Sequence, residues 1–183
     1  MSPFRPVRSS VLVVAFFLAA TAARTTRAQS APTLSLSRER ILSVARDIIK
    51  AARFSTLVTV GEKGQPQARI VDPVEPDSAF AVYFATNPKS RKVAQIRKDA
   101  RVTLLYFDAP RAAYVTLVGS ATEVKGPEKA AHRKADWNEF FAADRPNSYV
   151  LYKVVPIRAE VVSAKDGLSG DPTTWQPEIV EFK

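Results

Sequence analysis

Between Phe84 and Lys92 the chain reads Phe84-Ala-Thr-Asn-Pro-Lys-Ser-Arg-Lys92. Thr86 and Ser90 supply hydroxyls, and Lys89, Arg91 and Lys92 supply positive charge. If a helix starts at Ser90, its first backbone amides have no intrahelical partner and point outward. The helix dipole then favours an anion at that end. Arginine adds a planar fork that holds a phosphate in bidentate fashion. Arg69, on an upstream segment of strand character, reaches the same anion if the strands pair in hairpin order. Spacing alone leaves two readings standing, an anion grip and a solvated basic turn ahead of a helix.

Other chemistries are restricted by residue content. The chain has no cysteine and one histidine, His132. A disulfide scaffold, a thiolate metal site, a cysteine nucleophile and a multi-histidine metal site are therefore excluded. His132 lies between Ala131 and Arg133 with no catalytic partner nearby in sequence, so it reads as a surface or packing residue, with axial haem ligation as the other use. Asp47, Asp72 and Asp77 form no acid/base pair by spacing. No phosphate-binding glycine loop or dinucleotide fingerprint is present.

The chain has 183 residues, 46% of them hydrophobic, which suits one packed domain plus an extension. The extension reads as an export signal. Arg5 and Arg8 precede the apolar run Val11-Leu-Val-Val-Ala-Phe-Phe-Leu-Ala-Ala20, and Thr26-Arg-Ala28 places small residues at a cleavage site ahead of Gln29. The run is shorter than the ~20 residues of a spanning helix. Residues 1–28 therefore read as a signal peptide, with a signal anchor as the alternative, and a periplasmic or secreted location follows. The net charge of +9 includes four arginines and no acid in that segment, so the remainder has 23 basic against 18 acidic residues, a net of +5. That excess is spread along the chain and suits an anionic ligand better than nucleic acid.

The elements that must position the turn follow from periodicity. After a linker over 29–36, Ile41, Val44, Ala45, Ile48, Ile49 and Ala52 recur at helical spacing behind an N-cap at Ser37. Strands are expected at Ser55–Val60, Gln65–Val74, Ala79–Ala85, Val102–Phe107 and Ala113–Val124. A short helix is expected at Ser90–Lys98, and a second from Pro127 through Phe141, with Trp137, Phe140 and Phe141 on one apolar face as core or dimer contacts. Two strands, Tyr149–Val155 and Ile157–Val162, are expected on either side of Pro156. The segment 166–183 contains Gly167, Gly170, Pro172 and Pro177 and is expected to be irregular. Six or seven strands in hairpin order with short helices imply an α+β, mostly β fold, a closed antiparallel barrel.

Three segments resemble the pyridoxamine 5'-phosphate oxidase superfamily of split barrels, closest to its general stress protein-like branch. They are the hairpin from Thr56 to Arg69 with its Gly-Gln-Pro turn, the Thr86-Asn87…Ser90-Arg91-Lys92 turn, and Tyr114-Val-Thr-Leu-Val-Gly-Ser-Ala121. The resemblance runs from about Ile41 to Val162. It implies a split β-barrel over 37–165 that forms a homodimer and binds flavin mononucleotide (FMN) at the interface, with a deazaflavin of the F420 type or haem as alternatives. By position, Arg69 and Val71 would line the flavin, and Ala85 and Thr86 would sit beside the ring and ribityl chain. Ser90, Arg91 and Lys92 would hold the phosphate. Tyr114 falls where the oxidases place a glutamine near the cofactor. The oxidases' lysine after the arginine is replaced here by Ile70-Val-Asp-Pro-Val74. Their arginine-rich C-terminal segment has no counterpart in Trp175–Lys183, so standard pyridoxamine 5'-phosphate oxidation is not implied. Three readings follow: an FMN-dependent oxidoreductase of a small molecule, a non-catalytic flavin- or haem-binding module, and a cofactor-free structural protein.

Overall fold

In a computed structural model, described here over residues 37–141 and 148–183, the hydrophobic pattern folds as one curled antiparallel sheet with helices at its ends. The export segment, the linker over 29–36 and the expected break at Arg145-Pro-Asn147 lie outside the described residues. Helix α1 (Arg38–Ala52) begins where the Ser37 hydroxyl accepts from the Arg40 amide. Its buried stripe of Ile41, Val44, Ala45, Ile48 and Ile49 packs over strands β4 and β5 (ranges below), each aliphatic side chain contributing about 1.5–3 kcal/mol on burial.

Strands β1 (Ser55–Val60) and β2 (Pro66–Val71) form the expected hairpin, with Leu57 opposite Arg69 and Thr59 opposite Gln67. The second strand stops at Val71 rather than Val74. Asp72 and Pro73 turn away, although a single bridge from Pro73 to Phe84 still joins this end of the sheet to β3 (Val82–Thr86). That bridge closes the barrel in the order β2-β1-β4-β5-β6-β3. The third strand starts at Val82 rather than Ala79. Phe80 takes φ 66°, and the Asp77 carboxylate accepts from the Ala79 and Ala81 amides, which holds the approach as a turn. Helix α2 (Arg91–Lys98), β4 (Arg101–Asp108) and β5 (Ala113–Val124) follow as expected.

The later elements depart from periodicity. Helix α3 covers only Gly126–Ala131, not Pro127–Phe141. The Trp137 indole donates to the Asp72 carbonyl and Lys134 pairs with the Asp72 carboxylate, so tertiary contacts draw the chain out of a continuous helix into a 3-10 turn at Ala135–Glu139. Strand β6 (Val150–Val162) runs unbroken through Pro156. The proline has no amide to donate, and it sits at a bulge where the register with β5 shifts between Val118 and Gly119. The tail is not irregular throughout: β7 (Glu178–Glu181) pairs with Arg158–Val161 of β6, and Phe182 packs on Phe80 at 5.5 Å between ring centres.

Gly119 is what admits the bulge. A Cβ there would stand 2.2 Å from the Val155 carbonyl oxygen and 2.8 Å from Pro156 Cα, both backbone atoms that cannot swing aside. Gly119→Ala is expected to lower unfolding free energy by ~1–3 kcal/mol in urea titrations. The exposed Thr122→Ala on the same strand should stay within about 0.5 kcal/mol of wild type.

Candidate functional site

The turn between β3 and α2 is built by its own side chains. Asn87 accepts from the Lys89 amide at 2.8 Å, and its carbonyl accepts from the Ser90 amide at 3.0 Å. This closes a tight Asx turn that delivers Ser90 in extended geometry to the N-cap of α2. The Ser90 hydroxyl does not cap the helix. It lies 3.3 Å from the Thr86 hydroxyl, which also accepts from Lys92 Nζ at 2.9 Å. Thr86, Ser90 and Lys92 thus converge on one point at the end of β3.

Arg69 enters from the neighbouring hairpin. It shares the inward face with Leu57 and Val71, and three neutral oxygens hold it. Its guanidinium donates to Thr59 Oγ1 at 2.6 Å, Gln95 Oε1 at 2.9 Å and the Leu57 carbonyl at 3.4 Å. Gln95 is itself fixed, accepting from the Thr59 hydroxyl and donating to Gln67 at 2.8 Å. Thr59, Gln67 and Gln95 are site residues that sequence reasoning missed. Their signals were a polar residue at an inward strand position and a glutamine one turn beyond Arg91 and Lys92 on α2.

Electrostatically, the cluster is a set of cations without a countercharge. Burial lowers the pKa of Arg69, and the charge of Arg91 lowers it further. Burial likewise lowers that of Lys92, with the charge of Arg69 adding to it. Among the described residues, no carboxylate forms an ion pair with Arg69, Arg91 or Lys92. The nearby acids are committed elsewhere: Asp72 to Lys134 at 2.6 Å, and Glu123 to Arg97 at 2.9 Å.

Beside the cations runs a groove of ≈ 390 Å³ whose wall includes Val71, Ala85, Thr86 and Lys92. Phe54, Ile70, Trp137 and Phe140 supply apolar surface, and Phe54 and Phe140 are 49% and 73% exposed. The structure therefore brings Val71, Ala85, Thr86 and Lys92 into one groove and sets Ser90 against Thr86. Arg69 and Arg91 lie within the electrostatic reach of Lys92 and of each other. Arg91 is exposed and faces a neighbouring recess along α2. Tyr114 is not part of this constellation within one subunit. It pairs with Phe107, which shares a face with Leu105, Thr56 and Ile70, the opposite face from Leu57 and Arg69. His132 also lies apart. Its ring stacks on Tyr83 at 3.7 Å, a packing role.

The family model described as pyridoxamine 5'-phosphate oxidase matches residues 41–163. A pyridoxine/pyridoxamine 5'-phosphate oxidase of Bordetella pertussis (strain Tohama I) is 40% identical over 73 residues, 40% of this chain and 34% of that protein. The chain thus matches about a third of the length of that relative. Among solved structures, a Clostridium acetobutylicum protein related to general stress protein 26 superposes with TM-score 0.65 at 13% identity, covering 80% of this chain and 96% of that one. A heme binding protein from Mycobacterium smegmatis superposes with TM-score 0.58 at 20% identity, covering 75% and 56%. At these identities the two structures establish the fold, a split barrel.

The uncompensated charge makes a prediction about stability. Because the folded pKa of Lys92 lies below the usual 10.5, the folded chain releases that proton at lower pH than the unfolded chain. Stability then rises as pH climbs from the folded pKa toward 10.5 and is level above it. Lys92→Met is expected to be at least as stable as wild type at pH 7, with its advantage shrinking at alkaline pH. Urea titrations across that range measure it, and a variant clearly less stable at pH 7 would contradict it.

Proposed function

The chain belongs to the pyridoxamine 5'-phosphate oxidase family, and from that premise we propose that it is an exported FMN-binding protein acting as an oxidoreductase on a small molecule other than pyridoxamine 5'-phosphate. The observation that carries this reading is the set of three cations, Arg69, Arg91 and Lys92, gathered at the end of an apolar groove with no carboxylate to neutralise them. A phosphate is the group such a cluster lacks. The fit of the rest is chemical. Thr86, Ser90 and the first amides of α2 offer donors for phosphate oxygens, while Val71, Ala85, Phe54 and Phe140 offer surface to a planar ring.

In this reading the residues divide their work. Lys92 and Arg91 bind the phosphate, and Arg69, preset by Thr59 and Gln95, adds charge without needing to reorder. The Asn87 turn fixes the distance between phosphate donors and groove. Trp137, anchored to the Asp72 carbonyl, fixes the opposite wall. The one acid lining the groove, Asp72, is tied to Lys134, which leaves it poorly suited to proton transfer. When bound, a flavin supplies the electron transfer itself, and the protein supplies anchoring and access.

The outer sheet face supports a homodimer. Ile70, Leu105 and Phe107 are 64%, 37% and 57% exposed on the face that carries Tyr114. Ile70 also lines the groove, so a second copy docked on that face would cover its edge. Tyr114 would then reach a site only across the interface. The export signal read over residues 1–28 would place the protein in the periplasm or outside the cell.

The purified chain is expected to take up FMN, giving flavin absorbance and a raised melting temperature. The double variant Arg91→Ala, Lys92→Ala should lose at least a hundredfold in affinity, since each charge-assisted contact contributes roughly 1.5–3 kcal/mol. Absence of any flavin absorbance or thermal shift after refolding with excess FMN would sink the reading. For the dimer, Leu105→Glu combined with Phe107→Glu should halve the mass seen by light scattering. An unchanged dimeric mass would place the interface elsewhere.

A further inference from the structure

A second and larger cavity, ≈ 530 Å³, opens between the C-terminal half of α1 and the segment following β2, and no residue of the proposed flavin site lines it. Its walls are apolar, formed by Ile49, Pro73 and Val74, and Tyr106 of β4 completes the lining. Tyr106 is fully buried, and its hydroxyl makes no hydrogen bond. The neighbouring Ser55 hydroxyl donates to the Leu105 carbonyl instead. A buried, unpaired phenol costs stability, because the group has left water and gained no partner. Here it stands at a cavity within the usual size range of small-molecule sites, and far larger than the ~30 Å³ that one water takes up.

The rim decides what charge would enter. Arg53 is paired with Asp136 at 3.1 Å, and Lys134 with Asp72 at 2.6 Å. Lys50 and Glu75 remain at the mouth, one of each sign. No net charge is left to select an ion. We infer that this cavity is a binding site for a neutral, compact, apolar carbonyl compound whose oxygen accepts the hydrogen bond of the Tyr106 hydroxyl. The Arg53–Asp72–Lys134 ion cluster separates it from the flavin groove, so it is independent of the proposed cofactor.

Acetophenone and ethylbenzene, equal in shape but differing in the acceptor, serve as probes for the full chain in amide NMR titrations. Acetophenone should shift the amides of Ile49 and Val74 saturably and bind about tenfold tighter than ethylbenzene, the weight of one hydrogen bond. Tyr106→Phe should bring the two affinities together and melt at or above the wild-type temperature. Val74→Phe, which fills the cavity, should abolish the binding of both. The inference is overturned if acetophenone shifts neither amide, if Tyr106→Phe keeps the preference, or if Val74→Phe still binds. It is equally overturned if Tyr106→Phe melts clearly lower, since the hydroxyl would then already be bonded inside the folded protein.

Discussion

Strand β6 is the member on which the architecture rests. Its thirteen residues pair with β5 along one edge, and with both β3 and β7 along the other. The pairing with β3 sets Thr86 opposite Val150 and so decides where the following turn begins. The bend that lets one strand serve three partners comes from Pro156 against Gly119. A straight strand of this length would carry β3 and β7 past their neighbours, and the Pro73–Phe84 bridge that closes the barrel would not form. The site is thus held in place by backbone pairing far from it. This suits a function that needs a fixed distance between phosphate donors and groove.

The cation cluster shows the usual tension between stability and function. Arg69 and Lys92 are partly buried near each other and depress each other's proton affinity, yet their hydrogen bonds go to neutral oxygens. Had selection acted on the fold alone, an aspartate at Thr59 or a glutamate at Gln95 would neutralise Arg69 with little change in shape. Neutral acceptors orient the guanidinium and leave its charge for something else.

Much of the fold was legible because it is locally encoded. β1 and β5 have the bounds that alternation predicts, and the buried face of α1 is the one its spacing gives. What was not legible depends on contacts distant in sequence. Nothing near Pro156 tells that Gly119 will face it, and nothing near Lys134 tells that Asp72 will pull the chain out of its helix. The tail strand has only four residues and forms because β6 offers an open edge. At the site, the charged and hydroxyl residues were readable from their types. Thr59, Gln67 and Gln95 were not, because their role exists only once the hairpin register brings them to Arg69. Tyr114 was placed by resemblance, which gives a position along the chain but not the face of the sheet or the copy that contributes it.

The two tryptophans have opposite surroundings. Trp137 is 2% exposed and forms a wall of the groove, while Trp175 is 87% exposed on a turn where it adopts φ 59°. The chain accordingly carries two optical reporters that differ in both colour and access. Emission from the enclosed indole lies to the blue and responds to events in the groove. Emission from the tail indole lies to the red and is open to a soluble quencher. Iodide can silence the second while sparing the first, which leaves the groove observable by intrinsic fluorescence with no label and no substitution.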